Sequence, residues 1–362
     1  MKIFSYEIFK VRSRRERERE RERVVVKPQQ QDKIYIFDFV RAFACFYIVL
    51  HHFLFIPLQN YYHAKFTVTG IGMEMFFFTT GFLIPLSLER CNWKQFAVKR
   101  CFRLLPVLAF AVLTCVIVSQ LGIIQTHVNL RSILRTLTMT SDIIKIKSEK
   151  LNIIVGFSWS MQVELKFYII AAVAFFFGKT MREKFFVLCS LVLLYYVFTY
   201  IFKLPKNFPT SGYCFKLVSG CLLGAVYYFY KYKHLSKVEF FFWAIVCIFL
   251  VYFAADKTRR FSYVIGCVFV LCFAHFFTNK GNNKVVKYLA NLSYSIYLFH
   301  VMPRYYLNKH HPIDIQSFSD IIILFGYRML LFIPIFIACH FIYYYIEKPA
   351  YDFGRRLASR IH

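Results

Sequence analysis

The chain has 362 residues, of which 58% are hydrophobic and 20% aromatic, with a mean hydropathy of +0.48. Soluble domains carry about 45–50% apolar residues, so the excess excludes an ordinary soluble domain and points to a bilayer as the solvent. The net charge of +27 would suit a nucleic-acid surface, but most of the Lys and Arg fall in the N-terminal segment, alternate loops and the C-terminal end, the asymmetry that orients membrane helices.

In chain order, residues 1–32 come first, with Arg and Glu alternating through RSRRERERERER (12–23). A helix there would set opposite charges at i,i+3 and like charges at i,i+4, effects that cancel. A solvated cytoplasmic tail is expected, not a cleaved signal peptide. Ten apolar stretches follow, near 34–58, 70–88, 104–124, 153–178, 185–202, 214–230, 238–255, 261–278, 288–303 and 320–346. Each approaches the roughly 17–25 residues of a membrane-spanning helix. The expected fold is therefore all-α and polytopic, with about ten transmembrane helices in one membrane domain over 33–350 and a short cytoplasmic tail over 351–362. An even number of spans places both termini in the cytoplasm. The one long external loop, 125–152, carries Arg131, Arg135, Lys145, Lys147 and Lys150; it is expected to be solvated or to lie on the outer surface as an amphipathic segment. The eleven cysteines are scattered, with no CxxC pair, and read as small buried hydrophobes.

The first span, DFVRAFACFYIVLHH (38–52), carries Asp38, Arg41, His51 and His52. Ionisable residues inside a bilayer are costly and mark function by default. Arg41 and His52 lie about three helical turns apart, within ~20° of one face and ~16 Å along the axis, and Asp38 can pair with Arg41 at i,i+3. His52 suits a general base, because imidazole titrates near neutrality. Further on, GMEMFFFTTGFLIP (72–85) carries Glu74 near its start, with Gly72 and Gly81 permitting close backbone approach. In VKRCFRLLP (98–106), Arg100 and Arg103 are helix neighbours able to clamp phosphates. In FSWSMQVELKFYII (157–170), Ser160, Glu164 and Tyr168 step along one face, at a depth where Glu164 can share a cavity with His52. NLSYSIYLFHVMP (291–303) adds His300. No spacing motif supports a metal site from His52, His300 and Glu164, and no metal is expected.

Taken in order, DFVRAFACFYIVLHH, GMEMFFFTTGFLIP, KRCFRLLP, FSWSMQVELKFYII, NLSYSIYLFH and the terminal IEKP resemble the signatures of the type three acyltransferases, integral-membrane enzymes that O-acylate cell-envelope glycans. The resemblance covers residues from about 33 to 350. It implies ten core spans, an acyl group taken from cytoplasmic acyl-CoA, most simply acetyl-CoA, and a sugar hydroxyl of an envelope or exported polysaccharide precursor as acceptor. It assigns Arg41, Arg100 and Arg103 to the donor, His52 to catalysis, and Glu164 and Glu74 to orienting His52 or the acceptor. It also implies a bacterial inner membrane and no fused external esterase-like domain. Two positions depart from the family pattern. Glu74 stands where a shorter acid is usual, and Lys166 where a second acid often sits, so no acid pair is expected on that span. The rival reading is a proton-coupled transporter or flippase that uses the intramembrane charges as a substrate path.

Overall fold

The computed structural model describes residues 35–64, 67–124, 130–140, 153–201, 217–255, 257–276, 283–311 and 314–361. The tail expected over 1–32 and the loop residues Lys145, Lys147 and Lys150 lie outside them. Among the described residues every regular element is a helix. In chain order these are α1 (Tyr35–Tyr61), α2 (Gly70–Glu89), α3 (Trp93–Gln120), α4 (Leu130–Leu137), α5 (Ile153–Phe177), α6 (Met181–Ile201), α7 (Val218–Lys231), α8 (Lys237–Ala254), α9 (Arg260–Phe276), α10 (Lys284–Phe299), α11 (Met302–His310) and α12 (Phe318–Ala358).

Each of the ten expected spans forms a helix, but among the described residues only six are both long and apolar enough to cross a membrane: α1, α2, α3, α5, α8 and α12. The shortfall has physical reasons. Helices α7, α9 and α10 have 14, 17 and 16 residues, and about 1.5 Å of rise per residue leaves each short of a ~30 Å hydrocarbon core. Helix α6 opens on Arg182, Glu183 and Lys184, and Arg182 pairs with Glu239 at the start of α8.

The centre of the bundle is the crossing of α2 and α7. Every side chain of α7 from Val218 to Phe229 is buried. The backbones meet closely because glycines lie at the contact: a Cβ on Gly81 would overlap the Cys221 carbonyl, and one on Gly224 the Phe78 carbonyl. Small residues at a membrane crossing let dispersion contacts act over the whole helix pair. Gly72 sets α2 against Ala44, Tyr47 and Ile48 of α1 less tightly, a Cβ there meeting them at 3.0–3.2 Å. Around this centre, α8 exposes Phe241, Phe242, Ile245 and Phe249, and α12 exposes Leu330, Ile333, Ile337 and Phe341. Such broad apolar surfaces belong against lipid.

Residues 351–358, within the expected C-terminal tail, are helical and form the end of α12. That end packs on α3, with Gly354 directly against Phe102 and the Phe102 and Phe353 rings 5.2 Å apart. Within the segment 125–152, α4 buries Ser132 and Thr136 while Leu130, Arg131 and Leu134 are exposed.

Candidate functional site

Arg41 sits two turns into α1. Its guanidinium turns across to α10 rather than closing on Asp38: Nη2 donates to the Ala290 carbonyl at 2.7 Å and to Ser293 Oγ at 3.3 Å. One turn on, the Cys45 thiol donates to the Ser293 carbonyl. His52, further along, places its ring 5.0 Å from that of His300, the residue that caps the end of α10. Arg41 and His52 therefore share the α1 face that packs on α10, as their spacing requires. Neither is turned to lipid.

Arg41 also borders a cavity of about 720 Å³ with Arg100 and Arg103 of α3, Glu164 and Ser160 of α5, and Tyr297 of α10. Arg100 lies over the Phe96 and Tyr168 rings at 5.3 and 5.4 Å. Tyr168 donates its hydroxyl to Glu164 Oε2 at 2.6 Å, and Glu164 faces Arg103 and Arg100. Three guanidiniums face one carboxylate here, an excess that favours an anionic occupant. A second chamber of about 550 Å³ adjoins it, again bordered by Arg41 and Arg103, and lined by Asn291, Tyr343, Glu347, Lys348 and Tyr351. Glu347 is buried there and accepts a hydrogen bond from Ser295 Oγ at 2.8 Å.

Tyr297 is part of the wall of the first cavity. Its hydroxyl accepts a hydrogen bond from Ser160 Oγ at 2.7 Å, and its ring lies against Phe76. Beyond it are the histidines. His300 is 2% exposed, and its Nδ1 lies 2.7 Å from the Tyr297 carbonyl. His52 is partly exposed with Nδ1 enclosed. His51 points elsewhere, with Nε2 2.8 Å from Thr69 Oγ1.

A local device holds His52. Residues His51–Phe55 form a π turn, in which the Ile56 N–H bonds to the His51 carbonyl, one residue further back than in an α-helix. That leaves the His52 carbonyl without its usual donor. The Phe53 carbonyl loses its donor as well, because residue 57 is proline. Arg328 of α12 supplies both bonds, at 3.1 and 3.0 Å. Sequence reasoning singled out neither Tyr297 nor Arg328, although Arg328, an ionisable residue within the expected span 320–346, carried a signal of its own. The proline four residues after Phe53 is a further sign that a carbonyl there needs an outside donor.

Glu164 lines the cavity of the arginines, whose lining does not include His52. Glu74 stands apart from both groups. It is fully buried on the face of α2 that meets α7 and α9, packed on Gly220, Gly266 and Cys267. The helix is apolar all round, so its sequence carries no sign of which way Glu74 faces. Lys166 turns back to the Gln162 carbonyl. Among the described residues no three metal-ligating side chains converge.

An all-α polytopic bundle whose charged chambers and histidines lie inside a lipid-facing shell is an integral-membrane protein with an internal polar site. Residues 34–347 match the family model described as an acyltransferase domain. The chain belongs to the type three acyltransferase family. No curated protein and no solved structure matches it. The family sets aside the transporter reading: this is a membrane acyltransferase.

Proposed function

We propose that the chain transfers an acyl group, most simply acetyl, from acyl-CoA to a sugar hydroxyl of an envelope or exported polysaccharide precursor. The observation that carries this reading is one cavity lined both by Arg41, Arg100 and Arg103 and by Tyr297, which lies one turn before His300, whose ring is 5.0 Å from that of His52. The phosphates of the donor meet the three guanidiniums, its nucleotide occupies the second chamber beside Lys348, Tyr343 and Tyr351, and its extended arm carries the thioester towards Tyr297. With both termini in the cytoplasm of a bacterial inner membrane, the arginine end faces the cytoplasm and the histidine end the outer side.

In the transfer step His52 removes the acceptor hydroxyl proton as that oxygen bonds to the thioester carbonyl carbon. The C–S bond then breaks, the sulfur leaves with the bonding pair, and the proton held on His52 passes to it, giving ester and free thiol. Glu164, held by Tyr168, keeps the arginine pair in place. Proteoliposomes from cells that make the acceptor, supplied with labelled acetyl-CoA, test the reading. His52→Ala is expected to abolish label transfer at unchanged protein abundance, and undiminished transfer would remove His52 from the chemistry.

A further inference from the structure

Three buried ring nitrogens in the histidine group have no hydrogen-bond partner: Nδ1 of His51, Nδ1 of His52 and Nε2 of His300. Enclosed polar atoms left unpaired in a native structure call for a reason. The environment of His300 decides one protonation outright. Its Nδ1 lies 2.7 Å from the Tyr297 carbonyl, and a carbonyl can only accept, so Nδ1 carries the hydrogen. A neutral imidazole has one N–H; Nε2 of His300 is then a bare lone pair in an enclosed space. On the neighbouring ring, 5.0 Å away between centroids, Nδ1 of His52 is enclosed and unpaired as well.

We propose that His300 is the positioning residue of His52: its Nε2 accepts the Nδ1–H of His52 and so fixes which nitrogen of that ring does the chemistry. An N–H···N bond of ~3 Å joins two imidazoles whose centres are ~5 Å apart, so a small rotation of either ring closes the link. The rings stand at 54° and are not bonded in this structure. Once closed, the chain runs from the Tyr297 carbonyl to His300 Nδ1–H, and from His300 Nε2 to His52 Nδ1–H. His52 Nε2 is left unprotonated, as a base must be. His52 is partly exposed while its Nδ1 is enclosed; on this arrangement the acceptor hydroxyl approaches Nε2.

When His52 Nε2 takes the hydroxyl proton, the resulting imidazolium keeps its Nδ1–H on His300, and the same Nε2 proton goes on to the departing sulfur. His300 gains and loses no proton. His51 is the poorer partner for His52 on two counts. Its ring meets that of His52 edge-on, at 73° and 5.3 Å. Its other nitrogen also faces a threonine hydroxyl, which donates or accepts equally well and so fixes no tautomer.

The inference rests on the reading of His52 as the base, and the test separates the two. Full-length protein in proteoliposomes is assayed with labelled acetyl-CoA, and separately His52 is modified with diethyl pyrocarbonate and quantified by mass spectrometry. His300→Leu is expected to lower kcat by about 100-fold, the scale of a general base lost to the wrong tautomer, with donor KM and unfolding temperature unchanged, and to slow modification of His52. His300→Gln restores most of both, because its amide can donate to the Tyr297 carbonyl and offer an oxygen to His52. Full kcat in His300→Leu, or a natively folded His300→Gln as inactive as His300→Leu, overturns the proposal. Full transfer in His52→Ala overturns the reading beneath it. Transfer lost in His52→Ala but retained in His300→Leu overturns this inference alone.

Discussion

Arg41 and Arg103 border both chambers, whereas Arg100 borders one and lies stacked over Phe96 and Tyr168. Hydrogen bonds to a charged group contribute ~1.5–3 kcal/mol, a factor of ten or more in affinity. Arg103→Ala is therefore expected to raise donor KM by about tenfold or more, and Arg100→Ala by less, both with kcat little changed; initial rates against acetyl-CoA concentration check the order. Equal effects would mean that the second chamber contributes nothing to the donor. Residue spacing made this much of the site legible. Arg41 and His52 share a face because eleven residues is close to three turns, and the Arg100–Arg103 pair follows from helical neighbourhood. The placement of Glu74 was not legible, since α2 is apolar around its whole circumference; for Glu164 the face shared with Ser160 and Tyr168 was readable, but its arginine neighbours are supplied by α3.

Two helices of the bundle contain a π turn, and each turn runs into a proline: His51–Phe55 before Pro57, and Tyr343–Glu347 before Pro349. Such turns cluster at functional sites. Here the first carries His52, and the second places Tyr343 and Glu347 on the second chamber. The coupling of the first turn to α12 is open to measurement. Arg328→Leu strands two carbonyls and is expected to lower stability by about 3–6 kcal/mol, the cost of two charged-donor bonds. Adding Pro57→Ala should recover part of that loss, because the new N–H can reach the Phe53 carbonyl. Thermal unfolding of the two single variants and the double variant in detergent gives the coupling, and additive effects would sink this account of the turn. The prolines are visible in the sequence. The identity of the outside donor is not, because Arg328 lies 276 positions from His52.

For the whole molecule, the α2–α7 crossing fixes α2, which lends Phe76, Thr79 and Thr80 to the wall of the first cavity. Gly224→Leu drives a side chain into the Phe78 backbone, an overpacking worth ~1–3 kcal/mol or more; a lower unfolding temperature and loss of monodisperse protein on size exclusion are the expected result. Hydropathy identified the all-α membrane class and the helical stretches, but overstated how many are long enough to span. Apolarity records what a helix is buried in, and α7 is wrapped by protein on every side, so the same composition serves a short internal rod as well as a full span.

The contact between Ser160 and Tyr297, with Phe76 against the tyrosine ring, carries an obligation of its own. A bilayer insulates only where it is dry, so a polar cavity inside the bundle passes that duty to the side chains of its wall. At Tyr297 a seal against leakage falls to the tyrosine and the two side chains that hold it. Its integrity matters to the cell whether or not the enzyme is turning over.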